Sequence, residues 1–287
     1  VTATATHTER WFDVDGLRLH GVEWGDPDGV PLLMLHGVGS NAHFFNSLGP
    51  RLEDRMPGRY RILSLDHRGS GDSDKPETGY GIERAAQDVI DIHDQLGGAP
   101  MVIVGHSRGG WLGPYIAGRW PSRVSELVLI DPARIFFATT EDADDFYGAV
   151  AAGMGPFDTL DDALAAAREK DTTMRWTADR EAAVRAGLEE LPDGRWQAKM
   201  PRSVLQAMRA AREDTDRVGP VLPDVTARVL MFVSSRSNDW RQQQKLEYAR
   251  RLPDGVRVEM VDATHAIHQD EPDLVADTIT EFLRPEA

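Results

Sequence analysis

The residues best suited to chemistry are Gly105-His106-Ser107-Arg108-Gly109, which directly follow the apolar run Met101 to Val104 and precede a helical pattern. A serine on a sharp strand-to-helix turn has its hydroxyl lifted clear of the sheet, where it can attack a carbonyl carbon. Glycine on either side, here Gly105 and Gly109, gives such a strained turn its room. The backbone N–H of Arg108 then faces any oxygen bound beside Ser107. A nucleophile of this kind needs a base to take its proton and donors for the negative oxygen that develops. Among the nine histidines, His7, His20, His43, His67 and His93 have no metal-type spacing. The chain has no cysteine, which excludes thiol nucleophiles, disulfides, zinc ribbons and iron–sulfur sites. Neither a metal nor a cofactor is expected.

The elements that must hold this serine are legible as alternating patterns. Glu9 to Val14 and Leu17 to Trp24 read as a hairpin turning at Asp15-Gly16. Short apolar runs recur at Pro31 to Leu35, Arg61 to Leu65, Met101 to Val104, Leu127 to Ile130, Val229 to Val233 and Val256 to Val261. Uninterrupted runs of this length suit strands buried on both faces, as in a parallel sheet. Between them lie helical patterns: Ile82 to Leu96, Leu112 to Trp120, Gln242 to Leu252 and Leu274 to Leu283. Alternation of this kind implies an α/β fold with right-handed crossovers. One stretch breaks it. Residues 134–224 show no convincing strand, but carry helical patterns at Leu160 to Arg168, Arg180 to Leu191 and Arg202 to Arg212. They are read as a helical cap inserted between two core strands, dividing the core into residues 1–133 and 225–287.

Taken together, His36-Gly37-Val38-Gly39-Ser40, Asp66-His67-Arg68-Gly69-Ser70-Gly71-Asp72-Ser73, the Ser107 turn and Thr264-His265-Ala266-Ile267-His268-Gln269-Asp270-Glu271-Pro272 resemble the α/β-hydrolase superfamily. The resemblance covers nearly the whole chain outside the cap. It implies a mostly parallel twisted sheet flanked by helices, with Ser107 as nucleophile and His265 as the general base. His268 competes for the second role, but the pattern of a histidine, a short gap and Glu-Pro favours His265. The oxyanion donors implied are the backbone N–H groups of Val38 and Arg108.

The acid is ambiguous. Most of the family carries it after the strand that follows the cap, on a Gly-x-x-Asp loop. Here that loop reads Ser234-Ser235-Arg236-Ser237-Asn238-Asp239, and counting puts Ser237 or Asn238 where the carboxylate belongs. Asp131, ending the strand after the nucleophile helix, matches a second branch of the family and is preferred, with Asp239 as the alternative. The activity implied is serine-dependent cleavage of a carboxylic ester or lactone. Carbon–carbon bond hydrolysis, cofactor-free perhydrolase or haloperoxidase chemistry, and a non-catalytic binding protein on the same fold are the other readings. A serine at the turn argues against the dehalogenases and epoxide hydrolases, which use aspartate.

Composition narrows the partners. The chain has 287 residues, 47 acidic against 32 basic side chains and a net charge of -15, which disfavours nucleic acid and anionic membranes. No apolar run approaches the roughly 20 residues of a membrane span. Val1 to Arg10 lacks the pattern of a secretory leader, so a cytoplasmic location is expected unless a leader has been trimmed away. Aromatics Phe136, Phe137, Phe146, Tyr147, Phe157, Trp176 and Trp196, with Met154, Met174, Met200 and Met208, suggest an apolar small-molecule ester or lactone as substrate.

Overall fold

The computed structural model describes residues 7–132, 140–170, 175–211, 217–253 and 255–284. The chain opens with the expected hairpin, β1 (Thr8–Val14) and β2 (Leu17–Gly25), whose turn residues Asp15 and Gly16 both have positive φ, 50° and 74°. Then come β3 (Val30–Leu35), α1 (Gly49–Arg55), β4 (Tyr60–Leu65), α2 (Ile82–Gln95), β5 (Met101–His106), α3 (Gly109–Arg119) and β6 (Val124–Ile130). The inserted segment carries α4 (Thr140–Ala152), α5 (Leu160–Lys170), α6 (Ala178–Ala186), β7 (Leu188–Glu190), β8 (Trp196–Ala198), α7 (Arg202–Ala210) and α8 (Val218–Val221). The chain closes with β9 (Arg228–Ser234), α9 (Asp239–Arg251), β10 (Arg257–Val261), α10 (Ile267–Asp270) and α11 (Pro272–Phe282).

Eight strands form one sheet in the order β1-β2-β4-β3-β5-β6-β9-β10. The pairs β1–β2 and β2–β4 are antiparallel and the rest parallel. The continuous apolar runs are explained by burial on both faces. Leu33, Leu35, Ile103, Leu127 and Leu129 join a core cluster with α2, α3 and α9, whereas Leu32, Met34, Val102, Val104, Val128 and Ile130 join one with α1 and α11. Each such side chain, fully withdrawn from water, contributes about 1.5–3 kcal/mol. The central strands β3, β5, β6 and β9 are thereby fixed side by side, with Ser107 just past the carboxyl end of β5.

The inserted segment corrects one expectation. The pattern from Arg180 to Leu191 is not a single helix. α6 stops at Ala186, capped by Gly187, and β7 then pairs with β8, joining Leu188 to Ala198 and Glu190 to Trp196. Three-residue strands are too short to show a period of two, and the turn signal Pro192-Asp193-Gly194 is what marks the hairpin. Of the residues read as cap, Phe136, Phe137 and Met174 lie outside the described residues. Tyr147, Met154, Met200, Val204, Leu205 and Met208 bury together with Tyr80 of the core, and Val38 packs against them.

Candidate active site

Ser107 has φ of 52°, in the left-handed region that costs a non-glycine residue about 1–3 kcal/mol. The fold enforces it. The Ser107 N–H donates to the Ile130 carbonyl at 3.1 Å, tying the turn to β6. A Cβ at Gly105 would stand 2.3 Å from the Gly109 carbonyl oxygen, and one at Gly109 would stand 1.9 Å from that of Leu35. Both glycines are therefore demanded by backbone packed against backbone. The Ser107 hydroxyl has no hydrogen-bond partner among the described residues, His265 included.

His265 lies on the loop between β10 and α10. Its Nδ1 donates to Asp131 Oδ2 at 2.5 Å, and His106 Nε2 donates to its carbonyl at 3.0 Å. The His106 and His265 ring centres are 4.6 Å apart, which brings the imidazole to the residue next to Ser107. With Nδ1 committed to Asp131, Nε2 keeps the lone pair a general base requires. The ring is 46% exposed, so a substrate can reach it.

Asp131 is fully buried, with φ of 44° at the end of β6. Burial alone would raise its pKa. The hydrogen bond and charge of His265, and then of Lys245, outweigh that and hold the carboxyl below its ordinary value. Its Oδ1 accepts from the Ser234 N–H at 2.9 Å and from Lys245 Nζ at 2.5 Å.

Asp239, the alternative acid, is exposed and makes no hydrogen bond to His265. Asn238 caps α9 by accepting from the Arg241 N–H at 2.9 Å, which commits Asp239 to the first helical turn, where a negative charge complements the macrodipole. His268 does not compete either. It is buried against Phe44 and Phe45, and burial pulls its pKa down to about 3. His36 and His106 are likewise buried and depressed by desolvation.

Two backbone donors flank the serine. Neither Val38 N–H nor Arg108 N–H has an acceptor among the described residues. A Cβ on Gly37 would lie 3.3 Å from Ser107 Oγ, so the loop carrying Val38 wraps closely around the hydroxyl. Unpaired donors at this position can receive a developing oxyanion, each worth roughly 2.7–4 kcal/mol.

Sequence reasoning missed Lys245 and Arg180. Lys245 shares the buried face of α9 with Tyr248 and Ala249, three and four residues on, and a lysine on an apolar helical stripe was the available signal. Its Nζ also donates to Ser237 Oγ at 3.2 Å. Lys245→Met should therefore leave the buried Asp131 carboxylate with one ionic partner fewer. The variant should lose about 3–5 kcal/mol of stability in chemical denaturation, and an unchanged midpoint would show that the pair carries no weight. Arg180, buried in α6, donates to Gln269 Oε1 at 2.7 Å and Asp270 Oδ1 at 3.3 Å. Asp270 Oδ2 accepts from the Thr264 N–H at 2.8 Å, so the inserted segment braces the loop that presents His265.

Among the described residues, one group could ligate a cation: His20, Asp66 and Asp72. These donors are already committed. His20 pairs through Nδ1 with Asp66 at 2.7 Å and through Nε2 with Glu9, Asp66 accepts the Ala42 and Asp72 N–H groups, and Asp72 pairs with Lys199. The Asp66-to-Ser73 motif thus braces the loop after β4. Arg68, in the same motif, forms a two-pronged pair with Asp88 at 2.5 and 2.6 Å, an architectural role.

The chain is 28% identical to the 2-(acetamidomethylene)succinate hydrolase of Mesorhizobium japonicum, over 96% of this chain and 94% of that one. A crystal structure of E-2-(acetamidomethylene)succinate hydrolase superposes with a TM-score of 0.84 and 25% identity, covering 97% and 99% of the two chains. A non-heme chloroperoxidase of Streptomyces lividans is 32% identical over 50% of this chain and 54% of its own. No described helix is long and apolar enough to cross a membrane. The strand order, the strained serine between β5 and α3, and a family model for the alpha/beta hydrolase fold that matches residues 30–272 converge: this chain is a member of the α/β-hydrolase family.

Proposed function

We propose that this protein is a serine hydrolase that cleaves a carboxylic ester or lactone through an acyl-enzyme. The observation that carries the reading is the short Asp131–His265 contact, made beside a serine held in a strained turn with an unencumbered hydroxyl. In the proposed cycle Ser107 Oγ attacks the substrate carbonyl as its proton passes to His265 Nε2. The Asp131 carboxylate stabilises the imidazolium, and the Val38 and Arg108 N–H groups receive the oxyanion. Collapse of the tetrahedral intermediate expels the alkoxide, protonated by His265. Water activated by the same imidazole then releases the acid and regenerates the hydroxyl.

The inserted segment would act as a cap over this site. The buried side chains of Tyr147, Met154, Val204 and Met208, with Tyr80 and Val38, support an apolar wall on the Val38 side. A second reading follows from the chloroperoxidase relative: the same acyl-enzyme, met by hydrogen peroxide in place of water, yields a peracid. A panel of short and long acyl esters, lactones and a vinylogous diketone, each with and without peroxide, tests both. Ester or lactone turnover at least about tenfold above the diketone in kcat/KM supports the primary reading. Turnover of the diketone alone would replace it with carbon–carbon bond hydrolysis.

A further inference from the structure

The guanidinium of Arg108 has no counter-ion among the described residues. Among the described residues its side chain makes one hydrogen bond, Nη2 to the Tyr80 carbonyl at 3.4 Å, and no carboxylate lies within ion-pairing distance. Other arginines of the chain behave differently. Arg68 and Arg84 close on Asp88, and Arg180 closes on Asp270. Asp88, whose charge reaches Arg108, is thereby already neutralised by two other guanidinium groups. Burial lowers the pKa of Arg108, with Tyr147 and Asp88 opposing that fall. The residue also sits where the core meets the inserted helices. Tyr80, to which it bonds, belongs to the apolar cluster formed by Tyr147 of α4 and Val204 and Met208 of α7, against which Val38 packs. Arg108 is only partly buried, but even partial withdrawal of a charge from water without a partner is costly. In a chain of net charge -15 the surrounding field already repels anions, so an anionic ligand needs a local cation such as this one.

We propose that the Arg108 side chain receives a carboxylate carried by the substrate, making the preferred substrate an ester or lactone with a second, ionised carboxyl group beyond an apolar stretch. The inference rests on the acyl-enzyme reading of Ser107. A carboxylate suits the site better than a phosphate: its single charge and two coplanar oxygens match one guanidinium fork, whereas a phosphate dianion would remain half-compensated. One residue thus has two tasks, its N–H at the reacting carbonyl oxygen and its side chain at the far end of the acyl group. The side chain makes the second contact equally in ground and transition state, so it acts on KM more than on kcat.

The test compares two esters that differ only in charge, the mono-p-nitrophenyl ester of adipic acid and its methyl ester, with spontaneous hydrolysis subtracted. Wild type should favour the charged ester by at least about tenfold in kcat/KM. Arg108→Gln should bring the ratio to about one, and Arg108→Lys should restore part of it. Because the ratio is taken within each variant, any general loss from disturbing the turn cancels. Adipate, but not adipamide, should also protect Ser107 from a fluorophosphonate. A wild-type ratio near one, or an unchanged ratio in Arg108→Gln, overturns the proposal. Wild type that takes no label at Ser107 would instead overturn the acyl-enzyme reading. Adipate binding measured by calorimetry, present in wild type and absent in Arg108→Gln, then still decides for the subsite, and equal binding decides against it.

Discussion

Ser107→Ala should yield a folded protein that neither turns over p-nitrophenyl acyl esters nor takes up a fluorophosphonate. The expected loss is about 10⁶-fold in kcat, the scale on which a serine nucleophile is missed when the rest of its machinery stays in place. The fold should be nearly indifferent. The hydroxyl removed has no hydrogen-bond partner among the described residues, the N–H that anchors the turn to Ile130 is backbone, and alanine meets the same left-handed φ as serine. Stability should therefore change by less than about 1 kcal/mol. Intact-protein mass after labelling separates the outcomes: one adduct on wild type and none on the variant is expected, and an adduct on Ser107→Ala would remove the nucleophile assignment.

Asp131→Asn should lower kcat by on the order of 10⁴, whereas Asp239→Asn should leave it essentially unchanged. The asparagine is close in shape but offers His265 Nδ1 no charge, and it can favour the wrong tautomer. It also strands Lys245, whose side chain is 9% exposed and whose ammonium pairs with Asp131 Oδ1. Removing one partner of a buried pair costs about 3–5 kcal/mol. The double variant Asp131→Asn/Lys245→Met should recover much of that stability and none of the activity.

The dependence on pH has a definite sign. The folded-state pKa of Asp131 is depressed, so its stabilisation is present above the unfolded carboxyl value, near 3.9, and is lost as pH falls through the folded value. The melting difference between wild type and Asp131→Asn should be full at neutral pH and shrink below about pH 4. Loss of activity in Asp239→Asn with the fold intact would reverse the assignment of the acid.

The family, the sheet and the strained serine turn were legible because each rests on local pattern. Apolar runs such as Leu127 to Ile130 declare burial on both faces without any knowledge of neighbours. Gly105 and Gly109 flank Ser107 in sequence because a contact only a few residues long requires them. Less regular pieces were hidden. α1 offers little more than Leu52 to the core and leaves no periodic trace, and the β7–β8 hairpin is too short to show alternation. The buried polar groups were hardest to see. Lys245 meets Asp131 across 114 residues, and Arg180 meets Asp270 across 90, so no spacing rule connects either pair.

Sequence by itself determined that a serine would stand at the carboxyl edge of a parallel sheet with a histidine-bearing loop after the last strand, since turn chemistry and hydrophobic period act over neighbouring residues. It left the acid open between two aspartates that are each plausible by position. Tertiary structure decided which carboxylate meets the imidazole: the adjacency of β6 and β9 turns Asp131 toward His265, while the cap of α9 holds Asp239 in water. The same packing gave Asp131 a lysine and left Arg108 without a carboxylate among the described residues. Those are facts of distance between segments far apart in the chain, and composition and periodicity carry no information about them.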